Sequence, residues 1–267
     1  MKNMRESTLI GILIPGTSRN AVYKNCEDIE LFKVLLPSFF NSLTAVEKDR
    51  FCYRFYLGYD AGDELYDNER NLKRIREKFA RETENRSIQM EEPVRCAGTE
   101  HSPAYVWNIL FKKAYDDGCD YFYQLGDDIE LLSDGWSSIF VNVLKESRGV
   151  GVTGPMEEHN RRILTQTFVS RVHMDIFGYY FTPIVKNWSC DDWLHNVYMP
   201  DYNFWRKDVL VRNTSVGTTK YDIDNVSAKK IRKEIKKDRK KLIKWLNYHG
   251  FAKESLLERT KRMFTRK

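Results

Sequence analysis

Short apolar runs rich in β-forming residues alternate with longer amphipathic stretches through the first 150 residues. That alternation restricts the chain to an α/β layer fold built on a largely parallel sheet. The runs are residues 8–15 (TLIGILIP, closed by a Pro-Gly pair), 51–58 (FCYRFYLG), 87–94, 121–125 and 150–153. The first is apolar on both sides of a period-2 pattern, the mark of a strand covered on both faces. Between them, residues 28–43, 68–82, 104–116 and 136–145 repeat apolar side chains at helical spacing, and Gly118 is placed to end the third of these helices. No internal repeat and no low-complexity linker interrupts the pattern.

In open α/β sheets ligands sit beyond the carboxyl ends of the strands. Three polar segments fall at those ends. They are PGTSR at 15–19, YDAGD at 59–63 and GDDIE at 126–130. The first offers a glycine, hydroxyls and an arginine; the other two offer carboxylates. Asp127, Asp128 and Glu130 are close enough to repel one another unless a cation sits among them. A hard divalent ion held by one or two carboxylates together with substrate phosphates answers that repulsion. The alternative is that Asp127 and Asp128 cap a turn before the next helix. A second acidic pair, Asp191 and Asp192 in CDDW at 190–193, offers a general base, or else an N-cap for the helix that follows.

The stretch YDDGCDYFYQLGDDIELLSDGW (residues 115–136) resembles the core of GT-A fold glycosyltransferases, where an apolar strand runs into a short acidic DxD motif. TLIGILIPGTSR, RFYLGYDAGD, HSPAYVWNILFKKAYDDG and NWSCDDWLHNVY resemble further segments of that family in the expected order, closest to its family 2-like, small soluble members. The resemblance implies a single Rossmann-like domain over residues 1–227, with a donor half at about 8–135 and an acceptor half at about 150–227. It also implies an Mn²⁺ or Mg²⁺ ion at Asp128, with Asp127 or Glu130 as second ligand. The motif reads Gly-Asp-Asp-Ile-Glu rather than Asp-x-Asp, so both registers are open, and Asp127 could instead meet the ribose or a metal-bound water. His195 is the first candidate for a later third ligand, ahead of His173 and His249.

By the same resemblance, Pro15, Gly16, Thr17, Arg19, Asp60, Asp63 and Asp127 would face a nucleotide-sugar donor, a UDP-sugar before a GDP-sugar. Asp192, then Asp191, would supply the base of an inverting transfer to a carbohydrate or glycoconjugate hydroxyl. Trp188 and Trp193 would offer a platform for the sugar, while large aromatics at such positions also serve as core. Arg161, Arg162 and Arg171 could neutralise phosphate.

Charge is divided unevenly. Residues 228–267 hold 16 Lys/Arg against 4 Asp/Glu, or +12, so a chain of net charge +6 carries −6 over the rest. An acidic body disfavours a polyanion-binding nuclease, and no nucleic-acid partner is expected. The basic segment reads as an amphipathic helix. It would either lay its apolar stripe on the body or make peripheral contact with an anionic membrane. The five scattered cysteines form no CxxC pair, which argues against a disulfide framework and a zinc ribbon. With no apolar run near the ~18 residues needed to span a bilayer and no leader-like segment, the expected location is cytoplasmic. A catalytically inactive GT-A-like module that binds glycan or nucleotide is the rival reading. A nucleotidyltransferase is less favoured, because PGTSR has one glycine and one arginine where a glycine-rich basic loop is wanted.

Overall fold

Along strand β1 (Thr8–Gly16), Ile10, Ile12 and Ile14 enter one hydrophobic core and Leu13 enters another. Successive side chains of a strand point to opposite faces, so an apolar run can satisfy two layers of helices at once. The computed structural model describes residues 7–99, 101–215, 220–221 and 226–251. Residues 252–267 of the basic segment lie outside them.

The strands that follow are β2 (Phe51–Asp60), β3 (Ile88–Met90), β4 (Val94–Cys96), β5 (Tyr121–Gln124), β6 (Ile129–Leu131), β7 (Val152–Glu157), β8 (Thr167–Ser170) and β9 (Asn203–Asn213). A π-helical turn, Leu31–Leu35, runs directly into α1 (Leu36–Ser42). The other helices are α2 (Ala45–Arg50), α3 (Glu69–Glu82), α4 (Pro103–Asp116), α5 (Trp136–Glu146), α6 (Val172–Phe177), α7 (Cys190–Val197) and α8 (Ala228–Tyr248).

Among the described residues the strands form one mixed sheet in the order β3-β2-β1-β5-β8-β7-β9-β6, with β4 also on β2. β1, β2 and β5 are parallel, and Gly16 lies opposite Tyr59 at their carboxyl ends. β8 enters antiparallel to both β5 and β7, which the expectation of strand-helix alternation did not include. β9 pairs in parallel with β7, shifts register beside Pro155 and Met156, and then runs antiparallel to β6, with Ile129 opposite Asn213. That second pairing returns the chain to the acidic segment after β5.

One core joins Ile10, Ile12 and Ile14 to Phe39, Phe55, Phe79 and Trp136, beneath α1, α3 and α5. The other joins Leu13, Tyr56, Phe122 and Val169 to α4, α6, α7 and α8. α4 sits tightly on β2 because Gly58 has no side chain: a Cβ there would lie 2.7 Å from Val106 Cγ1. α2 opens on a capping box, Thr44 and Glu47. The second oxygen of buried Glu47 accepts from Ser137 Oγ at 2.6 Å and Ser138 N at 2.8 Å, tying α2 to the start of α5.

α8 lays its stripe on the body. Ile231 and Leu242 are buried in the second core, and Trp193 Nε1 donates to Asp238 Oδ2 at 3.1 Å. Lys229, Lys233, Lys236, Lys240 and Lys244 remain exposed on the helix. Among the described residues no helix is long and apolar enough to cross a membrane.

Candidate active site

The carboxyl ends of β1, β2 and β5 are tied together by side chains that emerge just past them. Asp63 is the brace between the first two. Its Oδ2 accepts from Ser18 N at 2.8 Å and Thr17 Oγ1 at 3.2 Å, and its Oδ1 from Ser18 Oγ, Leu65 N and Tyr66 N at 2.8, 3.0 and 2.9 Å. Tyr66 lies beneath the turn, and a Cβ on Gly16 would come 3.0 Å from both its ring and Leu57 Cδ1, so glycine lets the ring pack closely there. Pro15 and Thr17 are buried and Arg19 is half-buried, its N–H donating to Thr17 Oγ1. Asp60 turns toward the loop before α4, accepting from Thr99 Oγ1 at 2.7 Å and His101 N at 3.0 Å.

Asp127 and Asp128 follow β5 and are only 4% and 9% exposed. Gly126 makes room for the second carboxylate: a Cβ at that position would lie 2.5 Å from Asp128 Oδ1. After β9, Thr214 donates from both N and Oγ1 to the Asp128 carbonyl, each at 3.0 Å. The chain beyond it brings Lys220 over the acidic pair. Lys220 Nζ lies 2.8 Å from Asp127 Oδ1 and 3.3 Å from Asp128 Oδ2.

The second Asp127 oxygen, Oδ2, is buried with no partner among the described residues. So are the hydroxyls of Tyr23 and Tyr66, both electrostatic neighbours of Asp127. Burial pushes Asp127 up to about 6, against the pull of the Lys220 ammonium. Burial alone would lower Lys220, but the two carboxylates outweigh it and hold the ammonium above its usual range. Tyr23 is raised to about 12 by burial and then by Asp127.

Two expected metal ligands are not brought here. Glu130 lies on β6, where Arg212 of the paired β9 takes it at 3.1 Å while also holding Glu158. His195 is on α7, where its Nδ1 accepts from Leu164 N at 3.1 Å and its ring meets Trp205 edge-on. Among the described residues no group of three His, Cys, Asp or Glu side chains is placed to hold a metal ion. Of the two registers, the Asp128–Glu130 one is drawn apart by the Glu130–Arg212 ion pair, and Asp127 and Asp128 share Lys220. Two adjacent carboxylates, one with an unpartnered buried oxygen, still suit a hard divalent ion that takes its remaining ligands from phosphate and water.

His173 is a core residue. It bonds Tyr198 OH and the Tyr180 carbonyl, and burial lowers it to about 4. His249 stacks on Trp245 at the end of α8. Arg171 donates to the carbonyls of Tyr115 and Cys119. Trp193 is fully buried, which removes it as a sugar platform; Trp188 is 54% exposed.

Asp191 and Asp192 are not N-caps. Ser189 precedes α7 and both acids lie in its first turn. Burial raises Asp191 to about 7, with the neighbouring Asp192 adding to the effect and the Cys190 thiol opposing it. Asp191 is an electrostatic neighbour of Tyr180, whose hydroxyl donates to the Thr167 carbonyl. Thr167 in turn donates to Gln124 Oε1 at the end of β5. Asp192 instead influences His195.

Sequence reasoning missed Lys220, Tyr23, Tyr66 and Thr214. None carries a local signal: Lys220 is 93 residues from the carboxylate it contacts.

Three parallel strand ends, in a mixed sheet returned by β9 and flanked by helices, give the chain a GT-A fold. No protein-family model and no curated protein sequence matches the chain. The likeness is to solved structures. S. aureus TarS 1–349 in complex with UDP-GlcNAc matches with a TM-score of 0.57 at 10% identity, over 86% of this chain and 66% of that one. TarS 1–349 alone gives 0.53 at 10% identity, over 78% and 60%. A longer TarS structure gives 0.51 at 12% identity, over 78% and 37%. The chain thus spans about 60% of the length of TarS 1–349.

Proposed function

We propose that the chain is a glycosyltransferase that moves a sugar from a nucleotide-sugar, a UDP-sugar first, to a carbohydrate or glycoconjugate hydroxyl. The observation that carries this reading is the buried Asp127–Asp128 pair past β5, at the edge where a GT-A sheet takes its donor. The UDP and UDP-GlcNAc complexes of TarS support the choice of nucleotide. Asp127 and Asp128 would hold Mn²⁺ or Mg²⁺, which when bound supplies charge neutralisation for the departing diphosphate.

The chain's own residues do the rest. Asp63 holds the loops after β1 and β2 in register through Ser18 and Tyr66, and Asp60 braces the loop before α4. Of Asp192 and Asp191, the two acids offered as general base, Asp191 is the one that burial raises to about 7, which suits a carboxylate that accepts a hydroxyl proton as the oxygen attacks the anomeric carbon. Trp188 offers an exposed aromatic face to the acceptor. The exposed lysines of α8 form a surface for an anionic membrane. Contact there would be electrostatic, because the apolar stripe is already committed to the body, and vesicle binding should weaken steeply with salt.

The test is a donor screen: UDP- and GDP-sugars incubated with the protein and Mn²⁺, with and without EDTA, following released nucleotide. Metal-dependent release from one donor, lost in Asp128→Asn, is the expected result. Silence across the panel, with no thermal shift from any nucleotide, overturns the reading. A thermal shift without turnover in the presence of acceptors would instead fit a binding module.

A further inference from the structure

Two buried carboxylates one residue apart require a cation, and in this chain the cation is covalently attached. Lys220 Nζ spans Asp127 Oδ1 and Asp128 Oδ2 at 2.8 and 3.3 Å, with its side chain only 13% exposed. A divalent ion bridging this pair would have to lie between the same two carboxylates, beside the ammonium. Two cations cannot share them at contact distance in a site so shielded from water. Lys220 and a divalent ion are therefore alternatives.

Lys220 is also an incomplete occupant. With the ammonium in place, Asp127 Oδ2 and the hydroxyls of Tyr23 and Tyr66 stay buried without partners. One positive charge against two carboxylates leaves the trio at −1. A divalent ion balances both carboxylates, and the phosphate oxygens and waters it carries could accept from the tyrosine hydroxyls, which an ammonium, a donor only, cannot do.

We propose that Lys220 is an exchangeable internal counter-cation: it occupies the divalent-metal position between Asp127 and Asp128, and a metal ion binds by displacing it. The inference rests on the proposed metal role of this acidic pair. Holding the pair with lysine lets the carboxylates stay buried when no metal is present, at the expense of intrinsic metal affinity.

Mn²⁺ titration without nucleotide tests the exchange, using free Mn²⁺ measured by electron paramagnetic resonance. Lys220→Met should bind Mn²⁺ at least tenfold more tightly than wild type, Lys220→Arg should bind as weakly as wild type, and Asp128→Asn should abolish binding. Equal or weaker binding by a folded Lys220→Met overturns the proposal. A second measurement needs no variant. Acetylation of Lys220 in the wild-type protein, read by mass spectrometry, should rise on adding Mn²⁺ but not K⁺; unchanged labelling at saturating Mn²⁺ refutes displacement. Neither readout uses a sugar donor, so a silent donor screen leaves them standing. Failure of both wild type and Lys220→Met to bind Mn²⁺ overturns the exchange and the metal assignment, and leaves the transferase reading to the donor screen run in EDTA.

Discussion

Replacing Asp63 with alanine separates a structural brace from a nucleotide ligand. The carboxylate accepts five hydrogen bonds, three from backbone N–H groups of Ser18, Leu65 and Tyr66 and two from hydroxyls of Thr17 and Ser18. A hydrogen bond to a charged acceptor contributes about 1.5–3 kcal/mol when removed singly. Five bonds on two oxygens do not add, and the part-buried donors regain some water. A loss of about 3–5 kcal/mol is therefore expected for Asp63→Ala, a large share of the ~5–15 kcal/mol that holds a domain together.

Asp63→Asn should lose about half as much. Its carbonyl can replace Oδ1, which serves Ser18 Oγ, Leu65 N and Tyr66 N. Its amide would then turn a donor toward Ser18 N, 2.8 Å away from the present Oδ2. Urea unfolding followed by tryptophan fluorescence gives both values, and UDP titration on the same samples gives nucleotide affinity. A loss below about 1 kcal/mol for the alanine variant would refute the brace. Intact stability with a collapsed UDP affinity would mark Asp63 as a direct ligand.

Further outcomes are expected at three positions. Turnover should rise with pH to a plateau through about 7, as Asp191 ionises, and Asp191→Asn should lower kcat far more than donor affinity. The same group acts on stability with the opposite sign. Its folded pKa lies above the unfolded value of about 3.9, so its contribution falls between pH 4 and 7, and a thermal-melt series should show Asp191→Asn flattening that fall. Gly126→Ala places a methyl 2.5 Å from Asp128 Oδ1 and should weaken Mn²⁺ binding roughly tenfold, about 1.4 kcal/mol, by calorimetry. Trp193→Phe removes the indole donor to fully buried Asp238 and should cost about 2–3 kcal/mol in chemical denaturation, with donor hydrolysis retained.

Much of the first half of the sheet was legible because its signals are local. The apolar period-2 runs marked β1, β2 and β5, and helical spacing marked α3, α4 and α5 within a residue or two. The acidic pair fell directly past a strand, at the carboxyl edge of the sheet. The Thr44–Glu47 capping box was present in the sequence but lay between stronger patterns. β6, β8 and β9 were not legible: β6 and β8 are three and four residues long, and β9 carries Arg, Lys and Asp on a partly exposed strand. Their strand state comes from pairing rather than from their own apolar content.

The amino-acid sequence by itself determined that this chain is an α/β sheet with carboxylates gathered at one edge, because periodicity and strand ends depend only on neighbouring residues. Tertiary structure decided what each of those carboxylates does. Pairing of β6 with β9 set Arg212 against Glu130, 82 residues away, and so withdrew Glu130 from the site. The same pairing brought Thr214 and then Lys220 to Asp127 and Asp128. Docking of α8 buried Trp193 against Asp238. Each of these depends on segments distant along the chain meeting in the folded protein, and side-chain partners at that range are chosen by the global packing of the sheet rather than by local pattern.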